Sequence, residues 1–288
     1  MEKVLSGKPV AAQIRQWTID FIARERLSPK MLLIQIGEDP ASEYYVQSII
    51  RSGNKIGCKI DFCSKPSSTS HEELLNLINV ANHDAGIHAI MIQKPLPSHI
   101  DENEVNCSID PRKDIDGIHP ENLGKTWLEM DAFVPCTAMA VIETMRYYQI
   151  DPAGKNVVLL GRSAVVGKPL AALLLGKNGY GNACLTVCHS RVPNLELHTL
   201  QADILISAIG RAEFVKASMI KENCILIDVG INEKINAEGS VSYVGDIDYN
   251  SCYDKALAIT PVPGGIGSIT TSLLLRNLSL AASGRALA

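Results

Sequence analysis

The sequence lacks several features that mark other classes of protein. It has no apolar run near the roughly 18 residues that a membrane-spanning helix needs, and residues 1–8 lack the apolar stretch of a signal peptide. Its net charge is only −4, without long runs of one sign, so no nucleic-acid or anionic-membrane surface is indicated. We therefore expect a cytoplasmic protein that holds any phosphate-bearing ligand locally, through backbone amides and a few Arg or Lys residues.

Metal-binding patterns are also missing. The sequence has 8 cysteines, but they form no CxxC pair and no Cys/His cluster with zinc spacing. We therefore expect no metal site, and we interpret the cysteines as reduced, small hydrophobic residues.

What is present is an alternation of strand-like and helix-like segments over 288 residues, which is long enough for about two domains. In the first half, strands are predicted at 31–36, 58–63 and 88–93, and helices at 8–26, from Asp39-Pro40 to about 56, and at 71–81. Alternating strands and helices indicate a parallel, doubly wound α/β architecture.

The pattern restarts in the second half after a loop-rich stretch and a helix predicted at 137–148. Strands are predicted at 156–160, 184–188, 203–208 and 224–229, with a helix at 166–175 after the first of them. This block predicts a Rossmann-like domain over residues 135–267. The first domain then comprises residues 1–134 plus 268–288, because the final helix, from about residue 270, is too short to form a domain and should pack back on it.

A glycine-bearing turn follows the first strand of this second block. Gly161, Arg162, Ser163 and Gly167 form the pattern G-x-S-x-x-x-G, which is one residue longer than the common dinucleotide fingerprint. A buried strand that runs through glycine into a helix presents backbone N–H groups to a diphosphate. The spacing is a weak signal by itself, and a plain strand–turn–helix would also explain it.

The end of the next strand bears on the choice of dinucleotide. In many NAD enzymes an Asp or Glu at this point accepts hydrogen bonds from the ribose hydroxyls, but here the strand ends with Cys188-His189-Ser190-Arg191. A 2′-phosphate would be repelled by an acid and bound by Arg191, Ser190 and Arg162. The sequence therefore favours NADP over NAD, with the alternative that Arg191 is only a solvated loop residue.

Several motifs together are more specific than any of these features. They are GEDPASEYYV (37–46), QKPLP (93–97), KDIDGIHP (113–120), PCT (135–137), GRSAVVGKP (161–169), DVGIN (228–232) and TPVPGGIG (260–267). In this order and spacing the chain resembles the methylenetetrahydrofolate dehydrogenase/cyclohydrolase family over essentially its whole length. The resemblance implies an active-site cleft between two α/β domains and a homodimer. It also implies oxidation of 5,10-methylenetetrahydrofolate by NADP, followed by hydrolysis of the methenyl product to 10-formyltetrahydrofolate.

The resemblance also implies roles for three residues of the first domain. Tyr45 matches the tyrosine that stacks on the folate ring, and Gln93 matches the glutamine that hydrogen-bonds the catalytic lysine. Asp116 matches the carboxylate that accepts hydrogen bonds from the pterin amino and ring N–H groups, a donor pair that suits two carboxylate oxygens. Taken without the flanking motifs, Tyr45 would be a core aromatic residue and Asp116 a turn-capping one.

Further residues are assigned to ligands by the same resemblance. The loop with Pro263, Gly264 and Gly265 is expected to line the folate and nicotinamide, although on sequence alone it would be a plain tight turn. The expected cofactor-binding residues are Gly161, Arg162, Ser163, Gly167, Ser190, Arg191 and Ile231.

One position departs from the family where chemistry depends on it. The family has lysine four residues after the tyrosine, one helical turn on, and this chain has Ile49. Isoleucine cannot transfer a proton, so we predict that the dehydrogenase activity is retained and the cyclohydrolase activity is weak or absent. Arg51 and Lys55 point away on the helix, and Lys94 should face away from the cleft unless the turn at Pro95 brings it in.

Two lesser departures follow the PCT and proline-glycine motifs, where Ala138-Met139 and Ser268-Ile269 replace Pro-Lys and Pro-Met.

Three alternatives to this predicted function stay open. The enzyme catalyses both steps through Lys94 or an ordered water, the chain is a non-catalytic regulatory protein that binds folate or nucleotide, or it is an unrelated dehydrogenase on a similar fold.

Overall fold

A computed structural model describes residues 2–177, 179–235 and 241–286, with the side chains of residues 40–42 and 44 left aside. The described residues fall into two compact units, one drawn from Gln13–Cys136 and Thr271–Ala288 and the other from Met1–Ala12 and Thr137–Thr270. We name them by their main sheets, as the three-stranded unit and the five-stranded unit.

The elements follow the predicted alternation closely. The helices are α1 (Gly7–Glu25), α2 (Pro40–Lys55), α3 (His71–His83), α4 (Glu102–Ser108), α5 (Pro120–Trp127), α6 (Cys136–Tyr147), α7 (Gly167–Leu175), α8 (Glu196–Thr199), α9 (Tyr249–Cys252) and α10 (Gly267–Ala282). The strands are β1 (Lys30–Ile36), β2 (Lys59–Lys65), β3 (Ala89–Ile92), β4 (Asn156–Leu160), β5 (Cys184–Cys188), β6 (Ile204–Ser207), β7 (Ile225–Asp228), β8 (Asn232–Ile235), β9 (Val241–Val244) and β10 (Ala258–Ile259).

The three-stranded unit has a parallel sheet with the strand order β2-β1-β3. The central strand β1 is nearly all apolar and buried, as expected for a parallel strand covered on both faces. Helix α3 packs its apolar face on this sheet, and a capping box formed by Ser70 and Glu73 defines where the helix begins. The carboxyl ends of β1 and β3 therefore point to one edge, where several candidate site residues lie.

The five-stranded unit has a parallel sheet with the order β10-β7-β6-β4-β5. Strand β5 pairs with one side of β4, and β6 pairs with the other. The chain thus reverses its direction across the sheet between β5 and β6, which creates a crevice at the carboxyl end of β4. Crevices at such reversals are where open α/β sheets bind nucleotides.

The two ends of the chain lie in different units. Leu5 donates its N–H to the carbonyl of Ile259 in β10, and Ile259 donates to the carbonyl of Lys3, so the first residues extend the five-stranded sheet. In the three-stranded unit the amide of Asn277 in α10 donates to the carbonyl of Ile115. The predicted domain limits did not include the first of these pairings, and they stay a prediction.

Some elements were not predicted. The stretch after Pro97, interpreted as loop-rich, contains α4 and α5, and the second half contains the hairpin β8–β9 and the short elements α9 and β10. These elements are short, and the hairpin is mostly exposed, so hydrophobic periodicity gives little signal for them. Among the described helices, none is long and apolar enough to cross a membrane.

Candidate active site

Helix α2 carries Tyr45 and, one turn later, Ile49. Ile49 is 0% exposed and lies in the buried stripe formed with Val46, Gly53 and Ile56, which recur at helical spacing. Tyr45 is half-buried beside this stripe. The position that the resemblance fills with lysine is therefore hydrocarbon packed in a core, because isoleucine satisfies the stripe.

Gln93 follows β3 and lies at the carboxyl edge of the sheet. Its backbone N–H donates to Ile34 at 2.8 Å, and its side-chain Nε2 donates to the carbonyl of Lys94 at 2.8 Å. Its Oε1 is buried and has no hydrogen-bond partner among the described residues, and the same holds for Oε1 of the neighbouring Gln35. A buried acceptor without a donor is costly, so these two oxygens mark a place that suits an incoming donor.

Lys94 was predicted to face away from the site unless the Pro95 turn redirected it. The Lys94–Pro95 peptide is cis, and the Lys94 ammonium pairs with the carboxylate of Glu102 in α4. Its positive charge also acts on the Asp116 carboxylate. Lys94 is therefore on the side of Asp116, but a carboxylate already holds its ammonium group.

The two acids of Lys-Asp-Ile-Asp have different roles. Asp114 is buried, and its carboxylate accepts hydrogen bonds from the N–H of Ile118 at 3.2 Å, from the N–H of His119 at 2.8 Å and from the amide of Asn122 at 2.8 Å. Asp114 is therefore the turn-capping residue. The half-buried Asp116 lies in the same turn and precedes Gly117, which has φ +69°. The turn does not use the carboxylate of Asp116.

The surroundings of Asp116 change its acidity. Desolvation and then the negative charge of Asp114 raise the pKa of the Asp116 carboxyl to about 6. A hydrogen bond from the Cys136 thiol and the charge of Lys94 act in the opposite direction. Burial, followed by the charge of Asp116, raises the pKa of Cys136 well above its usual value, so this thiol stays protonated and can donate.

In the five-stranded unit, the turn after β4 has the geometry predicted for a diphosphate. Gly161 has φ +115°, and a Cβ there would collide with the carbonyl oxygen of Ala208. A Cβ at Gly167 would lie 2.6 Å from the Cα of Arg162. The hydroxyl of Ser163 accepts the N–H of Val166 at 3.2 Å within the turn that precedes α7. Only glycine fits both positions, so the backbone can approach a ligand closely.

A cavity of about 300 Å³ opens at this turn. Its lining residues are Leu160, Gly161, Arg162, Ser163, Cys188, His189, Ser190, Leu195, Ala208, Ile209, Arg211 and Phe214. None of these described lining residues carries a carboxylate, and both arginines are exposed. The glycine, the two arginines and the hydroxyls of Ser163 and Ser190 therefore fit a phosphorylated dinucleotide.

Not every predicted cofactor residue lines this cavity. Four of them do, namely Gly161, Arg162, Ser163 and Ser190, whereas Gly167, Arg191 and Ile231 do not. Arg191 is exposed in the loop after β5, where its N–H donates to Nδ1 of His189 at 3.2 Å. Among the lining residues that were not predicted, Arg211 is the charged one. A signal is present, because Gly210 (φ +64°) lies in the turn shortly after the buried strand β6, as Gly161 lies directly after β4.

A pair of buried acids stabilises the loops behind the cavity. Asp246 is 0% exposed and accepts N–H groups from Ile209 at 2.7 Å and Arg211 at 2.9 Å. Asp228, the last residue of β7, accepts the N–H of Gly230 at 2.9 Å and that of Ile247 at 2.7 Å, while burial raises its pKa to about 7. Buried carboxylates without cations need such donors, so both acids hold backbone in place.

The proline-glycine loop lies in the same unit. Gly264 has φ +101°, and its carbonyl accepts the N–H of Gly7 at 2.8 Å. The hydroxyl of Ser268, one of the departures from the family, donates to the carbonyl of Gly265 at 2.7 Å and closes the loop internally. The exposed Ile231 approaches Gly267. Of the remaining departures, Ala138 and Ile269 are fully buried and so act through packing.

Taken together, a parallel sheet with a glycine turn and a carboxylate-free cavity defines a protein with a dinucleotide-binding half. The family model for the tetrahydrofolate dehydrogenase/cyclohydrolase catalytic domain matches residues 5–116, and the model for the NAD(P)-binding domain of the same family matches residues 135–286. The chain belongs to the tetrahydrofolate dehydrogenase/cyclohydrolase family. This confirms the resemblance, the fold of two α/β domains and the expectation of a nicotinamide dinucleotide.

Known relatives match over nearly the whole chain. The bifunctional protein FolD of Chloroherpeton thalassium is 45% identical over 282 residues, which cover 95% of this chain and 96% of that protein. Among solved structures, the bifunctional FolD of Campylobacter jejuni has a TM-score of 0.91 at 36% identity, with 98% of each chain covered. The Trypanosoma brucei enzyme, solved with NADP and an inhibitor, has a TM-score of 0.89 at 33% identity, with 97% of this chain and 96% of that one covered.

Proposed function

We propose that this protein oxidises 5,10-methylenetetrahydrofolate to 5,10-methenyltetrahydrofolate with NADP. The observation that carries the proposal is the cavity at the carboxyl end of β4, where Gly161 admits a diphosphate and Arg162 and Ser190 suit a 2′-phosphate. The Trypanosoma brucei relative, which was solved with NADP, supports the choice of dinucleotide.

The residues of the three-stranded unit supply the folate side of this proposal. Asp116 accepts the pterin N–H groups, because its carboxylate is not used by the turn that Asp114 caps. Tyr45 stacks on the folate ring, and Gln93 offers a buried carbonyl oxygen that has no donor among the described residues. On the dinucleotide side, Pro263–Gly265 and the exposed Ile231 stay candidates for contacts with the nicotinamide end.

The chemistry asks little of the protein beyond positioning. Bound NADP supplies the hydride acceptor at its nicotinamide ring, and electron release from the folate nitrogens stabilises the cation left on the methylene carbon. The side chains must hold the two reactants face to face at near-attack distance. None of the proposed residues has to transfer a proton in this step, so it does not depend on position 49.

The second step, hydrolysis of the methenyl cation, is where two lines of support diverge. The relatives that match nearly the whole chain are named bifunctional, and this supports an enzyme with both activities better than our expectation of a weak cyclohydrolase. Two observations favour the dehydrogenase alone, since water must lose a proton as it adds. Position 49 holds isoleucine, and the buried oxygen of Gln93 has no partner in the described part of the chain.

One pair of assays tests the proposal. The purified protein is given methylenetetrahydrofolate and NADP, and the change in nicotinamide absorbance is followed. Methenyltetrahydrofolate is then supplied directly, and its opening is compared with the uncatalysed rate. Absence of NADP reduction would contradict the proposal and favour a regulatory binding protein. Strong acceleration of the opening would establish the bifunctional alternative.

We also propose that the protein is a homodimer, as the resemblance implies. Sedimentation equilibrium on the purified chain tests this directly, and a mass equal to the 31.2 kDa of one chain would contradict it.

A further inference from the structure

The cavity of the five-stranded unit has one wall without an assigned role. Two walls come from the turn after β4 and from the residues after β5, which are the proposed sites of the diphosphate and the 2′-phosphate. The third wall is formed after β6 by Ile209, Arg211 and Phe214. Its side chains are not part of the motif that predicted a dinucleotide.

Arg211 and Phe214 form a stacked pair in this wall. The Arg211 guanidinium carbon lies 4.2 Å from the centroid of the Phe214 ring. The ring is half-buried and packs on the hydrophobic core of the unit, while Arg211 is exposed. Since the ring rests on the core and the guanidinium lies over it, the outer face of the guanidinium is available to the cavity that both residues line.

No described residue of its unit neutralises the charge of Arg211. Its guanidinium makes no ion pair or hydrogen bond within the part of the chain that the structure describes. The nearest acid in sequence, Glu213, pairs instead with Lys234 at 2.6 Å. A planar cation that is stacked on one face, with no acceptor from the described residues, suits a ligand that is itself planar or anionic.

Hydrogen bonds to a buried acid fix the backbone around Arg211. The buried carboxylate of Asp246 accepts the N–H of Ile209, of Arg211 and, at 3.3 Å, of Gly210, as well as the hydroxyl of Ser207 at 3.2 Å. The loop is therefore ordered before any ligand arrives. A preorganised loop loses less entropy when it binds, so the stacked pair is placed as a binding element and not as a mobile surface group.

We propose that Arg211, supported by Phe214, binds the adenine ring of the dinucleotide by stacking. The inference rests on the proposed function and names the contact for one part of its cofactor. If the diphosphate lies at the β4 turn and the ribose at the end of β5, the base attached to that ribose needs a further wall of the same cavity. A guanidinium face is a suitable platform for a base.

The test is calorimetric titration of the full-length protein with NADP and, separately, with NAD. Both ligands carry adenine, but only NADP carries the 2′-phosphate. Arg211→Ala is expected to weaken binding of both ligands by the same factor, about tenfold. Arg211→Lys keeps the charge but removes the planar face, and it should weaken both nearly as much.

The matched control is Lys155→Ala. Lys155 is an exposed cation of the same unit, but it precedes β4 and so lies at the opposite end of that strand from the cavity. Its loss should leave both affinities unchanged, and thermal unfolding without ligand checks that each variant is folded.

Three outcomes would overturn the inference. A loss confined to NADP would assign Arg211 to the 2′-phosphate, unchanged binding would exclude it from the site, and full affinity in Arg211→Lys would mean that charge alone matters. Failure of the proposed function has a separate signature, because the unmodified protein would then not reduce NADP with methylenetetrahydrofolate, whatever the affinities of the Arg211 variants.

Discussion

The two units differ in how completely they keep the chemistry that their family implies. In the five-stranded unit the dinucleotide features are backbone geometry and surface cations, and Gly161, Gly167, Arg162 and Ser190 are all in place. In the three-stranded unit Asp116 is retained, but Ile49 occupies the position where proton transfer would occur. We predict that this one substitution removes proton transfer without disturbing the fold, so the comparison treats positioning and proton transfer as separable.

The packing explains why such a substitution is tolerated. Ile49 is fully buried in the apolar stripe of α2, and burying such a side chain contributes about 1.5–3 kcal/mol relative to leaving it exposed. A lysine there would have to keep its ammonium group hydrated or paired. Isoleucine is thus the more stabilising residue at this position, and any cost falls on the reaction that needs an amine.

The largest expected effect is on NADP binding by the five-stranded unit. In Gly161→Ala the new Cβ meets the carbonyl of Ala208 at a backbone φ of +115°. Strain and collision together should weaken NADP binding by about a hundredfold or more, or unfold the unit. Titration calorimetry and thermal unfolding measure the two effects.

Gly124→Ala serves as the control for the glycine substitution, because a Cβ there meets nothing within 4 Å. It should leave both affinity and stability nearly unchanged. An unaltered NADP affinity in Gly161→Ala would mean that the turn after β4 does not hold the diphosphate.

The second prediction tests position 49 in the three-stranded unit. Ile49→Lys should raise the rate of methenyltetrahydrofolate opening by about a hundredfold, since a positioned acid–base group typically contributes that much or more. By the resemblance, the introduced ammonium group would also donate to Gln93 Oε1, which has no donor among the described residues. The opening rate at fixed pH is the measurement, and dehydrogenase turnover is recorded in parallel.

Ile49→Met is the matched control, because it has comparable bulk and no amine. It should leave hydrolysis at the level of the unmodified protein. If the unmodified protein already opens the substrate rapidly and lysine adds nothing, Lys94 or a water supplies the missing function, and the contrast between the units disappears.

Sequence reasoning predicted the fold well where burial is uniform. Strands such as β4 and β7 are short apolar runs between breakers, and a parallel sheet is the arrangement that buries both of their faces. The hairpin of β8 and β9 was not predicted, because its side chains are largely exposed. The limits of the two units fall inside α1, α6 and α10, where no change of composition marks them, and the predicted domain limits stay a prediction.

For the site, sequence reasoning identified residue types but not their partners. Nothing in Lys-Asp-Ile-Asp separates a turn-capping acid from one left for a ligand, and only the hydrogen bonds show that Asp114 is the cap. The pairing of Lys94 with Glu102 likewise depends on where α4 begins. Arg211 was missed because its loop follows a strand outside the fingerprint.

The third prediction concerns pH and the Asp116 carboxyl. Its pKa is raised to about 6, so the group is ionised above that pH and protonated below it. Only the ionised form can accept two N–H bonds from the pterin. Folate affinity should therefore rise with pH up to about 6. Below that pH, it should change by about tenfold for each pH unit.

Titration calorimetry with a stable folate from pH 5 to 8 checks this profile. Asp116→Asn provides the comparison, because its amide does not titrate and the slope near pH 6 should vanish. A profile that keeps its slope in Asp116→Asn would assign the titration to another group.

The smallest expected effect is that of Arg191 on the affinity for NADP. Arg191 is exposed and lies outside the cavity lining, so a contact with a 2′-phosphate would be solvent-screened and worth about fivefold in affinity. Arg191→Ala should weaken NADP by that factor and leave NAD unchanged, and raising the salt concentration should reduce the difference. Calorimetry with both nucleotides at low and high salt gives the four values needed, with Lys155→Ala as the control for a lost surface charge. Equal effects on the two nucleotides would make Arg191 a solvated loop residue and leave the 2′-phosphate to Arg162 and Ser190.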